Sequence, residues 1–253
     1  MRSVFLGTGT STGIPLIGCN CAVCTSDDPR DKRLRTSIYF ESPDTRIVVD
    51  TGPDFRAQML ANRLSDLDAV LFTHNHKDHT GGLDDIRPIN FLRKKTIDVY
   101  AELYVQEALR REYAYIFHEK DYPGIPRIEM KTIDETPFRV GNIEVMPVRV
   151  WHMNLPVFGY RIQDFTYITD ANKIERSELD KIRGSKILVL NALRHESHYS
   201  HFTLSEAMEI VREVRPEQAY FTHISHQMGL YAEVQASLPE NVFLAYDGLE
   251  LQF

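Results

Sequence analysis

The chain has 253 residues, of which 43% are hydrophobic and 26% charged, and its formal net charge at pH 7 is −7. These values are ordinary for a globular protein with a sizeable core. The sequence has no basic block or arginine-rich arm, so a large nucleic-acid partner is not indicated, and no apolar run reaches membrane-spanning length. The N-terminal residues are more typical of a first strand than of a signal peptide, which predicts a cytoplasmic location.

The first half of the chain opens with a predicted buried strand at residues 4–7 and a glycine-rich loop at 7–13. The loop lacks the Lys-Ser/Thr ending of a phosphate-binding P-loop, so we interpret its glycines as serving a tight turn. No regular element is predicted in residues 14–35, and an irregular loop of that length needs a stabilising link, which a metal ion could supply. Further strands are predicted at 36–41, 46–50, 69–73 and 97–101, and helices at 55–62 (capped by Asp54), 83–93 (interrupted near Pro88) and 103–115.

The second half alternates strands with helices. Gly141 and Asn142 form a hairpin signal between two apolar segments. Strands are predicted at 138–140, 143–150, 157–162, 166–169, 186–190 and 218–222, and helices at 174–182 and at 203–214, which opens with the capping-box pattern of Thr203 and Glu206. This order predicts an α/β protein with two packed sheets covered by helices, in a single domain over residues 1–253.

The densest chemical signal follows the strand predicted at 69–73. His74, His76, Asp78 and His79 lie within six residues, and imidazole nitrogen and carboxylate oxygen are ligands for Zn, Mn, Fe or Ni. Side chains two apart on an extended backbone point the same way, so His74 and His76 can share one ion. Asp78 and His79 lie past the strand and can face a second ion.

Three further residues of the same chemical type follow predicted strands. His152, Asp170 and His223 each stand at or just after a strand end, where sites are usually built. Taken singly, each has an ordinary structural explanation. Together they complete two coordination spheres.

The cysteines Cys19, Cys21 and Cys24 lie within six residues of one another. An odd number in so short a stretch is a poor disulfide framework. In a reducing compartment this spacing indicates a metal site that lacks one ligand.

The motif T-H-x-H-x-D-H, with a later His, Asp and His in this order, resembles the metallo-β-lactamase superfamily. Matching landmarks are residues 7–15, 48–52, 167–170 and 222–226. The resemblance implies a four-layer αβ/βα sandwich of two mixed sheets flanked by helices, with a dinuclear metal centre along one edge. It assigns one ion to His74, His76 and His152, the other to Asp78, His79 and His223, and places Asp170 as a bridge between the ions.

A narrower resemblance connects residues 18–24 and 222–227 with the cyclic phosphodiesterases of bacterial phosphonate degradation. It implies a structural zinc, held by Cys19, Cys21, Cys24 and His226, that staples the loop at about 14–35. It also aligns His201 with a histidine that assists catalysis outside either ligand set. His195 and His198 lie in the same segment, and His198 is the better placed to touch the site.

The expected activity is hydrolysis of a small anionic, cyclic phosphodiester by a hydroxide held between two Zn or Mn ions. His201 is the candidate proton donor to the leaving alkoxide, and Asp50 is expected to orient a ligand histidine. Asp78 could also hold the nucleophile. A homodimer is left open.

Other functions share the fold or the motif. A tRNA 3′-processing endonuclease should carry a basic arm, which this chain lacks. A glyoxalase-like thioester hydrolase shares the bridging Asp without the cysteines. A cofactor-biosynthesis protein with similar cysteines, and a non-catalytic metal-stabilised binding module, are two further alternatives. Arg87, Arg194 and residues 121–127 are candidates for shaping the pocket.

Overall fold

The computed structural model describes residues 1–118 and 124–253. The strands are β1 (Arg2–Gly7), β2 (Ser37–Glu41), β3 (Arg46–Val49), β4 (Ala69–Leu71), β5 (Ile97–Ala101), β6 (Ile128–Thr132), β7 (Phe138–Val140), β8 (Ile143–His152), β9 (Leu155–Ile162), β10 (Phe165–Tyr167), β11 (Lys173–Ile174), β12 (Ile187–Asn191), β13 (Gln218–Thr222), β14 (Val242–Leu244) and β15 (Glu250–Gln252). The α-helices are α1 (Ala22–Thr25), α2 (Phe55–Ala61), α3 (Lys77–Thr80), α4 (Arg87–Arg93), α5 (Leu103–Glu112), α6 (Ala114–His118), α7 (Arg176–Ile182), α8 (Leu204–Val214) and α9 (Tyr231–Ser237). Short 3-10 turns cover Pro29–Asp31, Leu83–Ile86 and His226–Met228.

The strands form two mixed sheets. The first has the order β15-β1-β2-β3-β4-β5-β6, and the second has the order β11-β8-β9-β10-β12-β13-β14 with β7 beside β8. In the first sheet β3, β4, β5 and β6 run parallel, and in the second β10, β12, β13 and β14 do. Each sheet therefore has a parallel half whose strands end at a common edge, which is where α/β folds place their sites.

Three apolar clusters separate four layers. One cluster lies between the sheets and includes Phe40 of β2 and Phe165 of β10, whose rings meet edge to face at 5.1 Å. A second packs α2, α4 and α5 on the first sheet, and a third packs α7, α8 and α9 on the second. The architecture is a four-layer αβ/βα sandwich, so the predicted fold class is confirmed. The two sheets share one core, and a single domain over residues 1–253 stays a prediction.

Most predicted elements are present, with a few differences in type or boundary. The helix expected at 174–182 begins at Arg176, because Lys173 and Ile174 pair with β8 as a short strand. The helix expected at 103–115 divides at Tyr113 into α5 and α6. The sequence analysis does not predict the strands β6, β11, β14 and β15, the helix α9, or the short helices α1 and α3, of which α1 lies in the segment 14–35 that is expected to be irregular. β6 and β15 have weak apolar patterns because they lie at the edges of the first sheet, half exposed.

The two predicted helix caps have different outcomes. Thr203 and Glu206 form the expected capping box at the start of α8. Asp54 stands before α2, but its carboxylate makes no cap bond and instead accepts hydrogen bonds from Arg35. None of the helices in residues 1–118 and 124–253 is both long and apolar enough to cross a membrane.

Candidate metal centre

Three of the predicted site residues follow strands in a backbone conformation that is uncommon for non-glycine residues. Asp50 follows β3, Asp170 comes three residues after β10, and His223 follows β13. Their φ angles of 63°, 54° and 55° lie in the left-handed region. Such a conformation costs about 1–3 kcal/mol per residue and redirects the side chain at the strand end. In all three residues this conformation directs the side chain to the same edge of the sandwich.

The histidine motif after β4 turns directly into α3. His74 is buried, and its ring centroid lies 4.6 Å from that of His76 and 4.3 Å from that of His79. His76 is still extended, whereas Asp78 and His79 belong to the helical turn. The change from strand to helix therefore brings residues spaced unevenly in the sequence onto one surface.

A glycine allows this turn to pack against the strand before it. Thr51 donates its amide to the carbonyl oxygen of His79 at 2.8 Å, and Gly82 donates its amide to Thr51 at 2.7 Å. A Cβ atom on Gly52 would come within 2.1 Å of the carbonyl oxygen of Asp78. Glycine is thus required at position 52 by the close approach of two backbones.

Asp50 orients two histidines of the site through its buried carboxylate. It accepts hydrogen bonds from the amide and hydroxyl of Thr73 at 2.9 and 2.8 Å and from Nδ1 of His79 at 2.7 Å. Because Thr73 gives its hydroxyl proton to Asp50, its oxygen accepts from Nδ1 of His74 at 2.9 Å. Both imidazoles therefore carry a proton on Nδ1 and turn the lone pair of Nε2 toward the site.

His152 is oriented in the same way from the other sheet. Its Nδ1 lies 2.8 Å from the carbonyl oxygen of Ser200, which can only accept a hydrogen bond. The lone pair of its Nε2 is therefore free to bind a cation. The ring lies 5.2 Å from that of His76 and 4.5 Å from that of His201.

The carboxylate of Asp170 is shared by two groups of donor atoms. Asp78, His79, Asp170 and His223 have donor atoms within 4.8 Å of one another, as do His152, Asp170 and His201. The oxygens of Asp170 lie 3.3 Å from Nε2 of His79 and 3.2 Å from Nε2 of His223. Burial opposes ionisation of Asp170, yet these two imidazoles hold its pKa well below the usual range. Asp170 is thus a buried anion between two sets of nitrogens.

The buried nitrogens test whether a metal ion fits here. Nε2 of His74, Nε2 of His79 and both ring nitrogens of His223 are buried without a hydrogen-bond partner in the described structure. An unpaired buried polar atom costs about 1–3 kcal/mol. Since the Nε2 atoms of these three histidines converge on the carboxylates of Asp78 and Asp170, a divalent cation would satisfy nitrogens and oxygens together. The residues present fit metal ions.

His201 lies inside this group, closer than the sequence suggested. Its ring is 4.5 Å from that of His152 and 4.6 Å from that of His223, and its Nδ1 is buried without a partner. Burial, followed by the neighbouring His223, lowers the pKa of His201 to about 2. The imidazole is therefore neutral at pH 7.

The second cluster joins the irregular loop to the turn after β13. The donor atoms of Cys19, Cys21, Cys24 and His226 lie within 4.8 Å of one another, and all three cysteines are free thiols. Nδ1 of His226 lies 3.5 Å from the sulfur of Cys19 and 3.3 Å from that of Cys21. The contact with His226 lowers the pKa of Cys21 to about 6, whereas burial raises that of Cys24 to about 11. Three sulfurs and one imidazole nitrogen suit tetrahedral zinc.

A cavity of about 580 Å³ opens above the His/Asp cluster. His198 lines it, as expected, whereas His195 bonds to the carbonyl oxygen of Met228. Arg194 braces its own loop by bonding the carbonyl oxygens of residues 196 and 197, and Arg87 bonds the carbonyl oxygen of Gly124. Of the candidate segment 121–127, residues 121–123 lie outside the described residues.

Several residues of the site escaped the sequence analysis. Thr73 and Ser200 orient histidines, and either could have been suspected only as a neighbour of a predicted ligand. Thr10 and Ser11 line the cavity because the glycine loop is tied to the turn after β13, where Thr10 donates its amide to the carbonyl oxygen of Ile224 at 3.0 Å. The glycine-rich loop therefore forms part of the cavity wall in addition to making a tight turn.

The family described as Beta-lactamase superfamily domain matches residues 45–224. A solved structure described as a new diphosphatase from the PhnP family is 37% identical, covers 100% of this chain and 97% of that chain, and superposes with a TM-score of 0.93. The chain belongs to the metallo-β-lactamase superfamily, and within it resembles the PhnP family. Both resemblances drawn from the motifs are thereby confirmed.

Two other similarities are more limited. The Zn²⁺-bound PqqB of Methylobacterium extorquens shares the fold over the full length of both chains, with a TM-score of 0.81 at 18% identity. A curated protein of Porphyromonas gingivalis named octanoyltransferase is 39% identical over 99% of this chain. The chain spans only 51% of that relative's length.

Proposed function

We propose that this metal-dependent hydrolase cleaves a small phosphodiester, and that cyclic phosphodiesters are its preferred substrates. The observation that carries the proposal is the position of Asp170, whose carboxylate belongs to both groups of donor atoms. Two cation positions that share one carboxylate suit hydrolysis by paired metals, of which phosphoryl transfer is one case. Superfamily membership and the resemblance to the PhnP family support the same conclusion.

The proposed ligand sets follow the sequence analysis. His74, His76 and His152 would hold one Zn or Mn ion, Asp78, His79 and His223 would hold the other, and Asp170 would serve both. The donor group of the structure that contains His152 and Asp170 is completed by His201, so the assignment of His74 and His76 to the first ion rests on the family resemblance and on the short distances between their rings and that of His152. A structural zinc would be held by Cys19, Cys21, Cys24 and His226. When bound, the active-site ions would neutralise the phosphoryl oxygens and lower the pKa of a shared water.

The remaining residues orient ligands and move a proton. Asp50 holds the tautomers of His74 and His79, so that both present Nε2. Hydrolysis of a cyclic diester forms one bond from water to phosphorus and breaks one P–O bond, and the leaving alkoxide must gain a proton. A bound phosphate would raise the pKa of the neighbouring His201, and its imidazolium could then supply that proton.

A second candidate substrate is a diphosphate diester. The similar solved structure is called a diphosphatase, and cleavage of a P–O–P bond makes the same demands on the ions. Octanoyl transfer, the activity named for the Porphyromonas gingivalis relative, is not proposed for this chain, because the chain spans only 51% of that relative's length. The assay below includes a thioester, so that it also tests the alternative of a thioester hydrolase.

The proposal is tested with purified protein reconstituted with Zn or Mn. Rates are compared for bis(4-nitrophenyl) phosphate, adenosine 2′,3′-cyclic phosphate, a dinucleoside diphosphate and a thioester, with 4-nitrophenyl phosphate as the monoester control. We expect metal-dependent turnover of the cyclic diester above the other substrates. Faster hydrolysis of the diphosphate would favour the second candidate, and a preference for the thioester would contradict both.

A further inference from the structure

The outer wall of the cavity contains two large apolar side chains that are left in water. Tyr199 is 72% exposed and Met153 is 50% exposed, yet both line the cavity above the His/Asp cluster. Single exposed apolar residues are common on protein surfaces, but two that flank a polar cavity provide an apolar contact surface for a ligand. Tyr199 and Met153 therefore provide an apolar outer wall to a cavity whose inner end is the polar His/Asp cluster.

One side chain connects the two apolar residues. Asn172 accepts a hydrogen bond from the amide of Met153 at 2.8 Å and donates one to the carbonyl oxygen of Tyr199 at 3.1 Å. The backbone amide of Asn172 donates to the carbonyl oxygen of Trp151 at 2.8 Å. Asn172, which follows Asp170 by two residues, thus fixes the β8–β9 turn against the loop that carries Tyr199.

The ring of Tyr199 is also held in place by its neighbour. It stacks on His198, with ring centroids 4.4 Å apart and planes inclined by 27°. His198 accepts hydrogen bonds from the amide and hydroxyl of Ser200 at 3.3 and 3.2 Å, which fixes the imidazole. Arg194 further secures the loop by donating to Oε1 of Gln227 at 2.7 Å. The aromatic surface is therefore built before any ligand binds, which reduces the entropic cost of binding.

The rings lead outward from the reaction centre. The ring of His201 lies 5.2 Å from that of His198, on which Tyr199 stacks. A phosphoryl group beside His201 would therefore place the next planar group of the substrate near Tyr199. Thr10 and Ser11 add hydroxyl groups to the cavity wall, and among the described lining residues there is no lysine or arginine.

We infer that Tyr199 and Met153 form an outer subsite against which a planar, uncharged group of the substrate stacks. The inference rests on the proposed function. A base stacked on an aromatic side chain gains about 1–3 kcal/mol, which corresponds to a change in affinity of about 5- to 150-fold. Met153 supplies a polarisable edge contact to the same ring.

The first test measures binding, which does not depend on turnover. Calorimetry on the metal-loaded protein compares adenosine 3′-monophosphate with inorganic phosphate for wild type, Tyr199→Ala, Tyr199→Leu and Tyr199→Phe. We expect the nucleotide to bind more tightly than phosphate, and this advantage to fall about tenfold in Tyr199→Ala and Tyr199→Leu. Tyr199→Phe retains the stacking surface and should retain the advantage. Equal affinity for both ligands in wild type, or an unchanged advantage in Tyr199→Ala, would overturn the inference.

The second test separates the subsite from the chemistry. For adenosine 2′,3′-cyclic phosphate, Tyr199→Ala should raise KM about tenfold with little change in kcat, whereas for ethylene glycol cyclic phosphate both constants should stay unchanged. Asn172→Ala should produce the same substrate-selective rise in KM to a lesser extent, because Asn172 is a positioning residue. A parallel loss for both substrates would contradict the subsite. If wild type binds the nucleotide but hydrolyses no diester, the proposed function fails and the subsite stands.

Discussion

The two clusters of metal-type side chains differ in what holds them in place. In the His/Asp cluster, the imidazoles of His74, His79 and His152 are fixed by hydrogen bonds to Thr73, Asp50 and Ser200, at the ends of strands in two sheets. In the cysteine cluster, the sulfurs lie on a loop whose small apolar core is formed by the buried residues Ile14, Val23 and Cys24. The fold organises the first cluster, whereas we expect the second to need a bound metal to hold its loop.

This difference predicts opposite consequences of losing a ligand. At the His/Asp cluster the scaffold should survive and the chemistry should fail. At the cysteine cluster the loop should lose its anchor and the chemistry should suffer only indirectly. The two clusters are also connected, because His223 and His226 occupy the same turn after β13.

The largest effect is expected for Asp170→Asn, which removes the anion shared by both donor groups. Turnover of the diester should fall about a thousandfold or more, since several kcal/mol of transition-state stabilisation depend on correctly placed ions. Metal content by elemental analysis should fall, while the melting temperature stays close to that of wild type. Asp164→Asn, in the β9–β10 turn, is the matched control. Unchanged activity in Asp170→Asn would show that the shared carboxylate is not part of the site.

A smaller loss of activity is expected for His201→Ala. Removal of a proton donor lowers turnover by about a hundredfold or more, while the metal content stays unchanged. The variant His195→Ala, which alters a histidine bonded to Met228, provides the comparison. Because His201 lies within ligand distance of His152 and Asp170, loss of one ion in His201→Ala would instead identify it as a metal ligand.

The cysteine cluster is tested by Cys24→Ala. We expect loss of one zinc per chain and a decrease of about 4 kcal/mol in the free energy of unfolding, with turnover reduced less than tenfold. Val23→Ala removes a buried side chain from the same small core without removing a sulfur, and should cost about 1–2 kcal/mol. Full stability and activity in Cys24→Ala would refute the idea that this zinc braces the turn that carries His223.

The end of the cysteine loop is also anchored by a hydrogen-bonded group that contains the buried carboxylate of Asp247. Arg33 donates to the hydroxyl of Thr8 at 2.7 Å, and Thr8 donates to Asp247 at 2.8 Å. Asp247 also accepts from the amide of Leu34 at 2.6 Å. Burial raises the pKa of Asp247 to about 6, because the hydrogen bonds compensate only part of its lost hydration.

This anchor predicts the smallest effect, a pH dependence of stability. Since the folded-state pKa of Asp247 is above its unfolded value, its contribution is fully present below about pH 4 and is lost as the pH rises through about 6. Relative to Asp247→Asn, wild type should lose on the order of 2 kcal/mol of unfolding free energy over this range. Chemical denaturation at pH 4, 5, 6 and 7 measures the difference. A constant difference between the two proteins would contradict the prediction.

Much of the fold could be predicted because its elements have local signals. The strands that bury both faces are apolar runs, and Thr203 with Glu206 marks the start of α8. The edge strands β6 and β15 escaped prediction because one side of each faces no neighbouring strand and their residues are half exposed. Lys173 and Ile174 form a strand only because β8 is there to pair with them.

The sequence by itself determined which residue types are available for chemistry: the histidine motif from His74 to His79, the cysteine triplet, and histidines and carboxylates at strand ends. These signals are local, because a strand end or a short spacing is visible in the chain. Only the tertiary structure decided how these groups are used. Hydrogen bonds that Asp50 and Thr73 accept from His79 and His74 set the tautomers, the sharing of Asp170 joins two donor groups, and Asn172 places Tyr199 beside Met153. Each of these depends on contacts between segments far apart in the chain, and packing of the two sheets brings those segments together.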